Sequence, residues 1–230
     1  LDWIKVLLWI ACAVQAYLLG SVSFAYILGK LFIRRDIRKY GSGNAGATNM
    51  TRNFGWKLGL LTFICDILKG SAGAWIGSLI DPVYGAYIGA VFAVAGHNWP
   101  VFFEFRGGKG AATTLGVALV LMPLEALCVI ALVGLIILLT RTVSIGSIAG
   151  SALLIVVGFV FYPGNLPLQI CAILLCGLVV FSHRENIKRL ANGTESKMSF
   201  KGKAKPKKLK TNSSEGQPAV NTAQGAKPAK

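Results

Sequence analysis

The sequence predicts an all-α integral membrane protein of seven transmembrane helices, with its N-terminus outside and its C-terminus cytoplasmic. Three observations carry that prediction. Of 230 residues, 54% are hydrophobic and only 14% charged, with a mean hydropathy of +0.60, whereas about a quarter of a soluble domain is charged. The apolar residues come in long blocks, several reaching the roughly 17–25 residues that cross a bilayer. Lys and Arg return at alternate breaks between blocks, the pattern of connections held inside by their positive charge.

The blocks run 3–29, 58–80, 83–100, 111–122, 124–140, 145–161 and 166–182. The first lacks a strongly basic start and a clear cleavage site, so it reads as a membrane helix and not as a removed signal. After it, residues 30–57 carry Lys30, Arg34, Arg35, Arg38, Lys39, Arg52 and Lys57. The break at Asp81-Pro82 has no Lys or Arg, residues 101–110 carry Arg106 and Lys109, and Met122-Pro123 is again free of them. Arg141 follows the fifth block, the Tyr162–Pro167 turn is uncharged, and the chain after the seventh block is basic. This alternation requires an odd number of crossings. The fourth block, at about 12 residues, covers roughly 18 Å of a core near 30 Å. Its glycine-rich start extends it, or it is a partial span enclosed by protein.

Residues 1–197 form the membrane domain. Residues 198–230, rich in Lys, Ala, Pro, Gly, Ser, Thr and Asn, hold too little apolar surface to fold alone. They read as a basic, disordered cytoplasmic tail beside an anionic leaflet. The net charge of +15 would suggest nucleic acid in a soluble protein. Half of the Lys and Arg lie beyond residue 183, however, and most others sit in the inner connections. Topology accounts for them, and no nucleic-acid partner is expected. The five cysteines lie inside apolar blocks, are odd in number and form no CxxC. Neither a disulfide framework nor a metal site is indicated.

Three polar segments remain, all on the cytoplasmic side. The first is Gly41-Ser42-Gly43-Asn44-Ala45-Gly46-Ala47-Thr48-Asn49, with Arg52. Glycines let backbone N–H groups converge, and Ser, Thr and Asn add donors, a nest suited to phosphate. The string fits GxGxxG, but a dinucleotide fingerprint needs a preceding strand and a βαβ unit, and here a membrane helix follows. The second runs from Gly96-His97-Asn98-Trp99-Pro100 to Arg106-Gly107-Gly108-Lys109-Gly110-Ala111-Ala112-Thr113. A Lys among glycines at a helix start is an anion cradle, though not a Walker A loop. The third is His183-Arg184-Glu185-Asn186-Ile187-Lys188-Arg189-Leu190, then Gly193-Thr194-Glu195. If helical, it puts His183 and Asn186 on one face. Asp66 and Lys69, one turn apart inside the second span, predict an internal ion pair supporting the first loop. Ser144 and Ser147, after Arg141, are placed to line the same pocket.

Together these segments resemble, in order, the bacterial acyl-phosphate:glycerol-3-phosphate acyltransferase family (PlsY-type). GSGNAGATN (41–49), GHNWP…FRGGKGAAT (96–113) and HRENIKRL…GTE (183–195) carry the likeness, which spans about residues 20–197 and the seven-span plan. Ser21-Val22-Ser23 has a Ser where many relatives have Pro. The resemblance implies acyl transfer from acyl phosphate to the 1-hydroxyl of glycerol 3-phosphate, giving lysophosphatidic acid and phosphate. The site would face the cytoplasm from a bacterial inner membrane, among membrane lipid. An acyl phosphate is already activated, so no cofactor, metal or acyl-enzyme is expected. The HxxxxD acyl-CoA enzymes are a rival, but five residues beyond His97 and His183 stand Phe102 and Lys188.

The implied catalytic set is His183, Asn186, Lys109, Arg52 and Ser42. Gly41, Gly43, Asn44, Gly46, Thr48 and Asn49 would bind one phosphate. Gly107, Gly108 and Gly110 would bind glycerol 3-phosphate, with Ser144 nearby. Asp66, Lys69 and Glu195 would be structural supports. His183 or the donor's own phosphate would take the proton. The other classes weighed are a membrane transporter for a phosphorylated solute and a basic membrane scaffold.

Overall fold

A computed structural model describes residues 2–198, so the expected tail from residue 199 on lies outside the described residues. Helices make up this part of the chain, with no strand among the described residues. They are α1 (Trp3–Gly20), α2 (Phe24–Ile33), α3 (Ala47–Phe54), α4 (Trp56–Ile80), α5 (Gly85–Asn98), α6 (Ala111–Leu121), α7 (Pro123–Thr140), α8 (Val143–Val160), α9 (Leu166–Ser182) and α10 (Arg184–Ala191). Two short 3₁₀ turns, Ile37–Lys39 and Val101–Phe103, sit in the loops before α3 and α6.

The first apolar block was expected as one helix over 3–29, and the structure breaks it at Ser21–Ser23. Tertiary contacts compete there for the groups a helix would use. The Lys69 ammonium donates to the Val22 carbonyl (2.8 Å), and the Ser21 hydroxyl accepts the Val101 N–H (3.4 Å). Gly20 lies so close to the Ala93 backbone that a Cβ would collide with it.

Four helical stretches are long and apolar enough to cross a membrane: Trp3–Ile33, Trp56–Ile80, Pro123–Thr140 and Val143–Val160. A fifth is α9 taken with α10, bent by 60° at His183. The two short apolar helices, α5 and α6, have 14 and 11 residues. At 1.5 Å per residue they rise only about 21 and 16 Å. Their position explains how they can be short. No residue of α6 is exposed, and only Phe92 of α5 is, whereas most of α7 faces outward. The short helices are lined by protein, and the long ones present the apolar perimeter.

Glycines permit this enclosure, as small residues do wherever helices must pack without a hydrophobic drive from lipid. Gly116 of α6 sits on the Ile67 carbonyl of α4, and Gly70 of α4 sits on the Thr113 carbonyl of α6. At the opposite end from the polar loops, Asp81 starts α5 by accepting the N–H groups of Val83 (2.8 Å) and Tyr84 (2.7 Å). It also accepts the Trp9 indole N–H (2.9 Å), which ties α1 to that turn.

A methyl at the α4–α6 contact has nowhere to go. Gly116→Ala is expected to lower the melting temperature in detergent, since overpacking costs about 1–3 kcal/mol. Gly134→Ala, in α7 with open space around it, should leave it unchanged.

Candidate active site

The polar loops enclose a cavity of about 120 Å³ at one end of the bundle. Three helices begin on it. Gly46, Ala47 and Thr48 at the start of α3, Gly110, Ala111 and Ala112 at the start of α6, and Val143 and Ser144 at the start of α8 all line its wall. None of the three has a side-chain cap. A helix start carries N–H groups without intrahelical partners and the positive end of the dipole. Three such ends at one cavity make a strong seat for anions.

The charged side chains add to that field. Arg52, Lys109 and Arg189 line the cavity with Asp66 and Glu195. Asp66 already faces Lys69, Oδ1 to Nζ 3.0 Å, with both side chains 2% exposed. Positive charge is therefore in excess. Arg52 donates to the Ser196 carbonyl (2.8 Å), while its buried Nε has no partner. Burial lowers the Lys109 pKa to about 8, and Arg189 and Arg52 push it the same way against the pull of Glu195.

Glu195 organises the third segment. Its Oε1 accepts from the Asn186 amide (2.7 Å) and the Ser144 hydroxyl (3.0 Å), and its Oε2 from Arg189 Nε (2.7 Å). Burial pushes its pKa up, but these bonds more than offset that and hold it below the usual value. Asn186, oriented in this way, accepts from Lys109 Nζ through Oδ1. A relay thus runs from α8 through Glu195 and Asn186 to the glycine-loop lysine.

His183 sits at the joint between α9 and α10, not within one helix shared with Asn186 as expected. Its Nδ1 is 2.8 Å from the Val179 carbonyl. A carbonyl only accepts, so Nδ1 carries the proton and Nε2 keeps its lone pair. Burial pulls the ring pKa down to about 4, which keeps the imidazole neutral.

Asn49 builds the first loop. Its amide nitrogen donates to the carbonyls of Asn44 (2.9 Å) and Tyr40 (3.0 Å), and its Oδ1 accepts the Ser42 N–H (3.2 Å) and the Asn53 amide (2.9 Å). Although Asn49 borders the cavity, these bonds commit its polar atoms to the loop and leave none for a ligand. The two glycine loops are joined directly, because the Gly107 carbonyl accepts the Ala45 N–H (3.2 Å) and the Asn44 amide (3.4 Å).

Among the expected site residues, Ser42, Asn44, Gly46, Thr48, Asn49, Arg52, Asp66, Lys109, Gly110, Ser144, His183, Asn186 and Glu195 meet at the cavity, as does Ser147. Gly41, Gly43, Gly107 and Gly108 stand outside its wall. Gly41 and Gly43 serve as left-handed turn residues (φ 59° and 72°). Gly107 ties the loops, and Gly108 packs flat on the His97 ring. Asp66 and Lys69 form the expected ion pair, which braces the α1–α2 break through the Val22 carbonyl and not the first glycine loop. Residues at the cavity that were given no site role from the sequence include Arg189, His97, Phe63 and Val143. Arg189, three residues beyond Asn186, was within reach of the helical spacing. His97 stood in the second polar segment, but its spacing gave it no role there.

The family described as glycerol-3-phosphate acyltransferase matches residues 10–193. A glycerol-3-phosphate acyltransferase of Thermoanaerobacter pseudethanolicus is 45% identical over 193 residues, covering 84% of this chain and 97% of that protein. One from Clostridioides difficile is 42% identical over 199 residues, with the same shares covered. Among solved structures, the glycerol 3-phosphate form of PlsY, an integral membrane glycerol 3-phosphate acyltransferase, superposes with a TM-score of 0.77. It has 39% identity and covers 83% of this chain and 96% of its own. Its lysophosphatidic acid form gives 0.75 at 38% identity, covering 83% and 95%.

The lowered Lys109 pKa predicts a pH dependence for anion binding. Lys109 is charged below about pH 8 and loses its charge above it. Affinity for a simple alkyl phosphate, dianionic throughout the range, should fall about eightfold between pH 7.5 and 9.0, tracking the protonated fraction. Equilibrium titration in detergent checks this, and Lys109→Arg should flatten the profile.

Proposed function

The chain belongs to the glycerol-3-phosphate acyltransferase family, and from that premise we propose that it transfers a fatty acyl group from an acyl phosphate to the 1-hydroxyl of glycerol 3-phosphate. The products are lysophosphatidic acid and inorganic phosphate. One observation carries the reading: three cations and three uncapped helix starts converge on a single cavity. Two phosphate-bearing reactants repel each other in water, and only a site with surplus positive charge brings them together. The similar solved structures are of forms named for an acceptor and a product of such a reaction.

In this reading Arg52, Ser42 and the start of α3 hold the donor phosphate. Lys109 and the start of α6 hold glycerol 3-phosphate. His183 accepts a hydrogen bond from the 1-hydroxyl through Nε2, and Asn186 keeps Lys109 in place. The hydroxyl oxygen bonds to the acyl carbon, the carbon–phosphate oxygen bond breaks, and the electron pair leaves with the phosphate. A ring that protonates near pH 4 is a weak base for the alcohol proton. The departing phosphate, which leaves with the electron pair, is a stronger base than this ring, so it takes the proton. Much of the rate then comes from placement.

Seven crossings are proposed: α1 with α2, then α4, α5, α6, α7, α8 and α9. The N-terminus is outside and the cavity faces the cytoplasm of a bacterial inner membrane. Residues 1–197 form the enzyme, and 198–230 a basic tail dispensable for turnover. Reporter fusions ending near residues 82 and 164 should read external, and those ending near 142 and 198 cytoplasmic. A fusion that places either loop segment opposite residue 195 contradicts the shared site.

Turnover of labelled glycerol 3-phosphate by the purified protein should proceed with acyl phosphate and not with acyl-CoA. The reverse preference overturns the donor assignment. Lys109→Ala should lose at least about a hundredfold in kcat/KM while still inserting, the scale of one lost charge-stabilising donor. His183→Gln, which still offers an acceptor, should keep activity within about tenfold, whereas a general base contributes about 10²–10⁴.

A further inference from the structure

We propose that His97, to which the reaction above assigns no step, is a positioning residue: braced by Asp66, it seats the 107–110 loop so that Lys109 meets the phosphate of glycerol 3-phosphate. The inference rests on reading the chain as a glycerol 3-phosphate acylating enzyme.

Several contacts place His97 under the loop. Its carbonyl accepts the Gly108 N–H at 2.9 Å. Its ring lies against Gly108, where a Cβ would overlap Nε2, and its carbonyl lies as close to Gly107. Nδ1 is 3.4 Å from Asp66 Oδ1. Asp66 is fixed in turn by Lys69 at 3.0 Å, and Lys69 by the Val22 carbonyl at 2.8 Å. The His97, Asp66 and Lys69 side chains are 6%, 2% and 2% exposed. The bracing therefore runs from the α1–α2 break, across α4, to α5 and into the backbone just before Lys109.

The loop needs this seat. Its glycines supply no side chains to pack. Lys109 carries its charge on a flexible four-carbon stem, so where the ammonium sits depends on where the backbone is held. A displacement of about 1 Å at a binding group can cost about a hundredfold. A histidine that merely filled space in α5 would affect melting and leave ligand recognition alone. One that seats the loop governs the affinity for glycerol 3-phosphate.

A double-mutant cycle on the full chain separates the two. His97→Ala should raise KM for glycerol 3-phosphate about tenfold or more and change kcat less than about threefold, the signature of lost ground-state binding. Gly108→Ala should also raise KM, because its methyl collides with the ring. In the double variant the methyl enters the space left by the ring, so the combined KM should fall well below the product of the two single effects. His97→Asn, which keeps a donor toward Asp66, should retain more affinity than His97→Ala. Additive effects in the cycle, or an unchanged KM in His97→Ala, overturn the proposal. If His97→Ala does not fold, Asp66→Asn carries the test: a raised KM supports the bracing, and an unchanged one refutes it. A wild-type protein inactive toward glycerol 3-phosphate would instead sink the functional reading.

Discussion

Like charges gathered in a partly desolvated place repel strongly, and the arrangement of this cavity follows from managing that repulsion. Arg52, Lys109 and Arg189 all line the cavity. Glu195 bonds Arg189 and, through Asn186, steadies Lys109. The carboxylate keeps the cations at fixed stations without neutralising them all. An incoming dianion finds the compensation already arranged, and little reorganisation is left for the moment of reaction. Burial brings the Lys109 pKa down to about 8, and the neighbouring Arg189 and Arg52 push it the same way.

The remaining positive potential belongs to the backbone. The starts of α3, α6 and α8 point their free N–H groups at one space, and the membrane plan makes that possible. The loops at this end of the bundle lead into α3, α6 and α8, so all three helices start at the same end. The glycines of the first two connections shape those starts. Gly46 and Gly110 are the N-cap residues of α3 and α6, and neither carries a side chain that could compete for the free amides.

Much of this was legible in the sequence. Apolar blocks gave the helices, because lipid imposes length and composition on any segment that faces it. Arg52 and Lys109 stood out beside glycine-rich runs, and His183 and Asn186 in the polar segment that follows the last apolar block. The α1–α2 break did not show, since it depends on Lys69, which lies 47 residues beyond Val22 in sequence. The third helix start, at Val143, did not show either, because free amides belong to every residue and carry no letter code. Asn49 looked like a ligand group because its amide is the right chemistry. Only the fold shows that this amide closes its own loop. Enclosure likewise decides the short α6: its 11 residues look inadequate until every one is seen to be covered.

The joint between the two glycine loops consists chiefly of main-chain atoms, the Ala45 amide and the Gly107 carbonyl. Side-chain truncation is blind to such a joint. Position 45 is already alanine, and the acceptor at 107 is a backbone oxygen. Sequence drift can therefore rewrite the residues around it while the two loops continue to move as one piece. An edit to the amide itself, such as an ester in its place, is what removes the main-chain bond.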